Sequence, residues 1–161
     1  MVSELPVRIE FSLPEGWQAT SPDEAGAPGV AFVALHQGST NGFTANLTIA
    51  GEFRDPKLPM TTIADESVQR LENIAVSVKV RDRVEVGTDD APGISQVLDI
   101  EMSPSQRLVQ CQVYVSMQDI YDPRRRAVLE LVLTCTPEQL DDVFADFQAF
   151  VRTVRPVAAD S

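Results

Sequence analysis

The chain predicts an α+β fold: an antiparallel sheet assembled from hairpins, with one helix in mid-chain and one at the end. Three observations carry this. Stretches within 7–13, 30–53, 76–102 and 106–135 alternate apolar and polar residues, or run apolar, as strands do. Turn residues separate them at hairpin spacing, above all Asn41-Gly42 and Tyr121-Asp122-Pro123-Arg124. Finally, Thr136-Pro137-Glu138-Gln139 opens an amphipathic segment that ends at Arg155-Pro156. With 161 residues and no visible repeat or linker, residues 5–156 are expected to form a single domain and 157–161 a disordered tail.

The first strand is expected where Val7, Ile9, Phe11 and Leu13 alternate with Arg8, Glu10 and Ser12; Pro14-Glu15-Gly16 ends it before Trp17. Residues 18–29, rich in Ser, Pro, Asp, Ala and Gly, read as a surface loop. Val30–Gln37 is an apolar strand, and the run from Phe43 to Phe53 is its hairpin return. A helix near 62–74 is capped by Thr61 or Thr62, with Asp65 or Glu66 complementing its dipole. Ile63, Ala64, Val68, Leu71 and Ile74 form its apolar side.

Val76 to Val86 alternates valine with polar residues, a strand with one wet face. Ile94, Leu98, Ile100 and Met102 mark the next strand. In the following one, Val109, Cys111, Val113, Val115 and Met117 oppose Gln110, Gln112, Tyr114 and Ser116. Leu129, Leu131, Leu133 and Cys135 continue the buried side after the turn. The last helix starts in a capping box, with Thr136 as N-cap, Pro137 in the first helical position and Gln139 reaching back. Leu140, Val143, Phe144, Phe147, Phe150, Val151 and Val154 form its stripe; Arg152 and Arg155 suit its negative end.

Twenty-four acidic against 13 basic residues give a formal charge of −11. A phosphate backbone or an anionic lipid surface needs the opposite sign, so neither nucleic acid nor membrane docking is expected. No apolar run approaches the roughly 20 residues needed to cross a bilayer. The start Met1-Val2-Ser3-Glu4-Leu5-Pro6 has no leader features, so the chain as written is expected in the cytoplasm, or at the envelope if a leader was removed. Cys111 and Cys135 fall roughly opposite each other, on one face if the turn centres near Asp122, and read as reduced core thiols; an oxidising compartment would make them a disulfide.

Chemistry is sparse. His36 is the only histidine and reads as a polar residue at a strand end. The pairs Asp23/Glu24, Asp89/Asp90 and Asp141/Asp142 lack calcium-loop spacing, and no phosphate loop, dinucleotide fingerprint or nucleophile elbow occurs. No catalytic residue, metal or cofactor is therefore expected. Two features stand out as candidate partner contacts. Arg124, Arg125 and Arg126 cluster at a hairpin tip, either guarding a sheet edge or gripping an acidic partner. Trp17 either packs on the sheet end or, partly exposed beside 18–29, anchors an interface.

The order of these pieces resembles a known family. Leu13-Pro14-Glu15-Gly16-Trp17, the return Gly42-Phe43-Thr44-Ala45-Asn46-Leu47-Thr48-Ile49, a mid-chain helix, a meander and the closing Phe147-Gln148-Ala149-Phe150-Val151-Arg152-Thr153-Val154-Arg155 are similar to the PsbP/Mog-like superfamily, particularly its LpqN-type and DcrB-type actinobacterial members. The resemblance implies an α-β-α sandwich, with a central antiparallel sheet of about six to seven strands between helices. It also implies binding rather than catalysis: members include a Ran-binding import factor, a photosystem subunit and bacterial lipoproteins, with no shared catalytic residues. The expectation is a non-enzymatic accessory domain with a protein partner, a second copy of the chain being one candidate. The alternative is a small-ligand carrier with a pocket between sheet and helix, lined by residues such as Phe147 and Phe150.

Overall fold

A computed structural model describes residues 5–24, 29–39, 42–118, 122 and 124–157. The elements are β1 (Ile9–Glu10), β2 (Trp17–Thr20), β3 (Phe32–His36), β4 (Asn46–Arg54), α1 (Met60–Glu72), β5 (Ser77–Gly87), β6 (Pro92–Ser103), β7 (Gln106–Gln118), β8 (Arg126–Cys135), α2 (Leu140–Thr153) and β9 (Arg155–Pro156). Seven strands form one antiparallel sheet in the order β2-β3-β4-β8-β7-β6-β5. Two meanders, β2–β4 and β5–β8, meet where β4 pairs with β8 along its full length, from Asn46 opposite Thr134 to Arg54 opposite Arg126.

Strand alternation sends neighbouring side chains to opposite faces, and each face has its own helix. Leu47, Ile49, Cys111, Leu131, Leu133 and Cys135 point to one face and bury Val143, Phe147 and Phe150 of α2. Ile94, Tyr114 and Val128 point to the other and bury Met60, Ile63 and Ala64 of α1. The α-β-α sandwich expected from the resemblance is therefore present, with a two-stranded β1–β9 ribbon in addition. The α2 core is almost wholly aliphatic and aromatic. Phe11 reaches it from the N-terminal segment, edge-on to Phe32 at 4.9 Å and to Phe150 at 5.5 Å.

The α1 face is stitched by amides. Gln96 and Gln112 are each 1% exposed. Gln96 Nε2 donates to Gln112 Oε1 at 2.7 Å and to the Ala64 carbonyl at 3.2 Å, while Ser67 Oγ donates to Gln112 Oε1 at 3.1 Å. Gln112 Nε2 passes the chain on to Gln110. Buried amides need such partners, and α1 is located by supplying them.

Several local expectations are corrected. The strand at 7–13 is reduced to β1 and joins β9 outside the main sheet, so Arg155 extends from the helix end to donate to Glu10 at 2.6 Å. Helix α1 begins at Met60 with Pro59 as N-cap, because Pro59 supplies the first acceptor carbonyl; no side chain caps it. Asp65 and Glu66 lie beyond its first turn and serve strand arginines instead, bonding Arg83 and Arg54. The helix ends at Glu72, leaving Ile74 exposed rather than on its apolar side. The cysteines share a face but are offset by two residues, since Cys111 lies opposite Leu133 and Cys135 opposite Val109. Both are free and buried, and burial pushes their thiols up to about 11 and about 12.

The reciprocal capping bonds at the last helix are formed: Gln139 N–H donates to Thr136 Oγ1 at 3.2 Å, and Thr136 N–H to Gln139 Oε1 at 2.9 Å. Regular α-helix follows only from Leu140, after a turn at 137–139. The hairpin residues 40–41 and 119–121, Pro123, and the tail residues 158–161 lie outside the described residues. The flanking pairs β3–β4 and β7–β8 are antiparallel as the turns predict.

Because Phe150 is fully buried among α2, β4 and the N-terminal segment, Phe150→Ala should lower unfolding stability by about 3–5 kcal/mol. Urea denaturation measures it; a loss below about 1 kcal/mol would contradict the two-sided core.

Candidate functional site

The arginine cluster does not act as one patch. Arg124 lies at the surface, bonding Asp122 through Nε at 3.1 Å. Arg125 lies over the Phe53 ring, 3.9 Å from its centroid, a cation–π contact. Arg126 is 8% exposed, donates to the Leu58 carbonyl and reaches Met60 Sδ at 3.4 Å, which ties the loop before α1 to β8. Nor does the tip guard a sheet edge, since β7 and β8 are interior strands.

Trp17 is buried on the α2 side. Its indole N–H donates to Asp146 Oδ2 at 2.9 Å, and its ring lies 4.9 Å from that of His36. A bond from a neutral donor to a carboxylate is worth about 1.5–3 kcal/mol, so Trp17 fastens β2 to α2. His36 Nδ1 meets Ser39 Oγ at 3.1 Å, and the same hydroxyl accepts the Ala45 N–H. The one histidine thus closes the turn that leaves β3. Among the described residues, no group of three or more His, Cys, Asp or Glu side chains could hold a metal.

Two other places carry features that the sequence did not single out. The first is the free edge of the sheet. β5 is its outermost strand, and a register shift between Val80 and Asp82 bulges it at Arg81. Eight large apolar side chains are exposed among the described residues, and five of them, Ile74, Val76, Val80, Val84 and Val86, follow this one edge. Val84 and Val86 point to the α2 side, where they continue a row of half-buried valines, Val97, Val113 and Val115.

The second is a cleft of about 370 Å³ on the α1 side. Its floor is Ala50–Glu52 of β4, Val128 and Glu130 of β8 and Tyr114 of β7; Ile63 and Arg70 of α1 form one wall and Gly29-Val30 another. Tyr114 is 2% exposed and its hydroxyl makes no well-formed hydrogen bond, although Glu130 and Ser67 face it. Glu130 contacts Arg70 at 3.7 Å. Burial raises its carboxyl above the ordinary range, against the pull of Arg70 and Tyr114. Arg54 is held by both oxygens of Glu66 at 2.9 Å and by Glu52 at 3.0 Å.

No protein-family model matches the chain, and no curated protein matches it by sequence. Solved structures do. LpqN of Mycobacterium tuberculosis, described as involved in cell envelope biogenesis, superposes with a TM-score of 0.68 over 94% of this chain and 86% of that one, at 9% identity. The Saccharomyces cerevisiae Ran-binding protein Mog1p gives 0.61 over 92% and 90%, at 12% identity. Cyanobacterial PsbP (CyanoP) from Synechocystis sp. PCC 6803 gives 0.60 over 92% and 86%, at 13% identity. The chain thus has the fold these proteins share, the PsbP/Mog-like α-β-α sandwich. At these identities the likeness is one of fold.

The raised Glu130 carboxyl has a stability consequence. Its contribution is fully present below the unfolded carboxyl range, about 4.3, and is lost as pH rises through the higher folded value. Glu130→Gln removes this loss. Its melting temperature relative to the native protein should therefore climb as pH rises from the unfolded carboxyl range through the raised folded value. A difference that stays flat or falls would mean that the Arg70 contact dominates.

Proposed function

We propose that the chain is a non-enzymatic accessory domain that acts by binding another protein, and that β5 is its contact. The carrying observation is the concentration of exposed valines along the one long free edge of the sheet. An extended segment can add to such an edge through main-chain hydrogen bonds, with alternate side chains covering apolar residues on one face. Beyond the bulge, residues 82–87 run regularly and present Val84 and Val86 together. Lys79, Arg81, Asp82, Arg83 and Glu85 lie on the same strand, and charges and a bulge are the devices that keep free edges from indiscriminate pairing. They would leave the edge selective rather than closed.

The shared fold supports a binding role, since Mog1p is a Ran-binding protein. So do the positions of His36 in a turn and of Phe147 and Phe150 in a filled core, which offer little to an enzyme or to a carrier pocket beneath α2. A second copy of the chain is one candidate occupant of the edge.

The double variant Val84→Lys, Val86→Lys tests this. Both side chains are 40–50% exposed, so unfolding stability should change by no more than about 1 kcal/mol. The tagged native domain should retain a defined partner that the variant loses, or form a dimer in light scattering that the variant does not. Equal retention and equal mass for the two proteins would rule out β5 as the contact.

A further inference from the structure

We propose that the cleft between α1 and the β4–β8 strands binds a small neutral molecule carrying adjacent hydroxyl groups, of the sugar or polyol class, gripped between Tyr114 and Glu130. The observation that points to a ligand is the Tyr114 hydroxyl, almost fully buried, lining the cleft and without a well-formed hydrogen bond. Buried hydroxyls of native proteins are nearly always satisfied, by protein or by something bound.

The charges select the ligand. Arg54 is saturated by Glu66 and Glu52, and Arg70 leans on Glu130. Three carboxylates against two guanidinium groups disfavour an anion, and a compact cation would have to lose its hydration beside Arg54 and Arg70. A neutral hydroxyl meets both free requirements at once. It accepts from the Tyr114 O–H and donates to the Glu130 carboxylate, while a neighbouring hydroxyl meets Arg70 at the mouth, where that side chain is 59% exposed. Ala50, Val128 and Ile63 offer an apolar wall to the C–H face of a ring. The volume of about 370 Å³ lies at the small end of ligand pockets, a size for one ring rather than a chain. The site lies on the sheet face opposite Val84 and Val86, so it does not depend on the β5 contact.

The test is titration of the isotopically labelled native protein with glucose and with myo-inositol, with methylammonium chloride and sodium acetate as controls, read by amide chemical shifts. The expected result is saturable shifts confined to residues 50–54, 114 and 128–130 with a polyhydroxylated probe. Tyr114→Phe should weaken that binding roughly five- to tenfold, the effect of one lost hydrogen bond, and Glu130→Gln should weaken it as well. Without ligand, Tyr114→Phe should melt at or above the native temperature, because it deletes a buried hydroxyl that makes no well-formed hydrogen bond. Shifts with methylammonium or acetate alone would overturn the proposal. So would no shifts with any probe; a lower melting temperature for Tyr114→Phe would then assign the hydroxyl to a bridging water only. Val84→Lys, Val86→Lys should leave the titration unchanged even if it abolishes partner binding.

Discussion

A strand at the centre of a seven-stranded sheet, with a helix on either side, has no wet face, and β8 occupies that position. Eight of its ten residues, from Arg126 to Cys135, are buried, and only Glu130 and Thr134 are less so. Leu129, Leu131, Leu133 and Cys135 serve the α2 core, whereas Val128 serves the α1 core. Shifting β8 by one residue would exchange these two sets and place side chains of the wrong shape against each helix. The registers of β4 and β7, which flank it, are constrained by the same requirement. Through Tyr114 and Gln112 on β7, so is the position of α1.

Burial fades outward from this centre. Each helix packs on part of its face, and β5 is one of the two edge strands. Its burial pattern shows the result, with most of its eleven residues exposed although four are valines. On the α1 side the uncovered part falls over β4 and β8, and the cleft with Tyr114 and Glu130 opens there. The two less covered places thus have one origin: helices of 13 and 14 residues roof only part of a seven-stranded sheet.

Most of the architecture was legible from residue pattern. Alternation located the strands from β3 to β8, and Thr136 with Gln139 marked the closing helix and its reciprocal bonds. Errors came where tertiary partners decide. Val7–Leu13 alternates like a sheet strand, and half-buried Leu5, Ile9, Phe11 and Leu13 do pack on the core, but the backbone pairs only with β9. Asp65 and Glu66 look like dipole complements until Arg83 and Arg54 arrive from other strands. The site was less legible. Three consecutive arginines read as a patch, yet strand geometry sends them to three environments. Tyr114 and Glu130 are sixteen residues apart and ordinary in sequence; only the register that places them opposite each other makes a pair. Valines 76–86 gave the signal of a one-sided strand, and nothing in their spacing told that the buried side would be so little covered.

The small β1–β9 ribbon has a different kind of consequence. Ile9 lies opposite Pro156, Arg155 bonds Glu10, the Val157 N–H donates to the Arg8 carbonyl, and Thr153 Oγ1 accepts the Ser12 N–H. The folded unit is thereby entered and left at one point, so its path is close to a closed ring. A short peptide joining the two ends would bridge little distance, and the ring could be reopened at the turn between β5 and β6 to give a circular permutant. For the same reason the unit can be spliced into a surface loop of a host protein without prising that loop apart, which makes it a transplantable module as well as a domain.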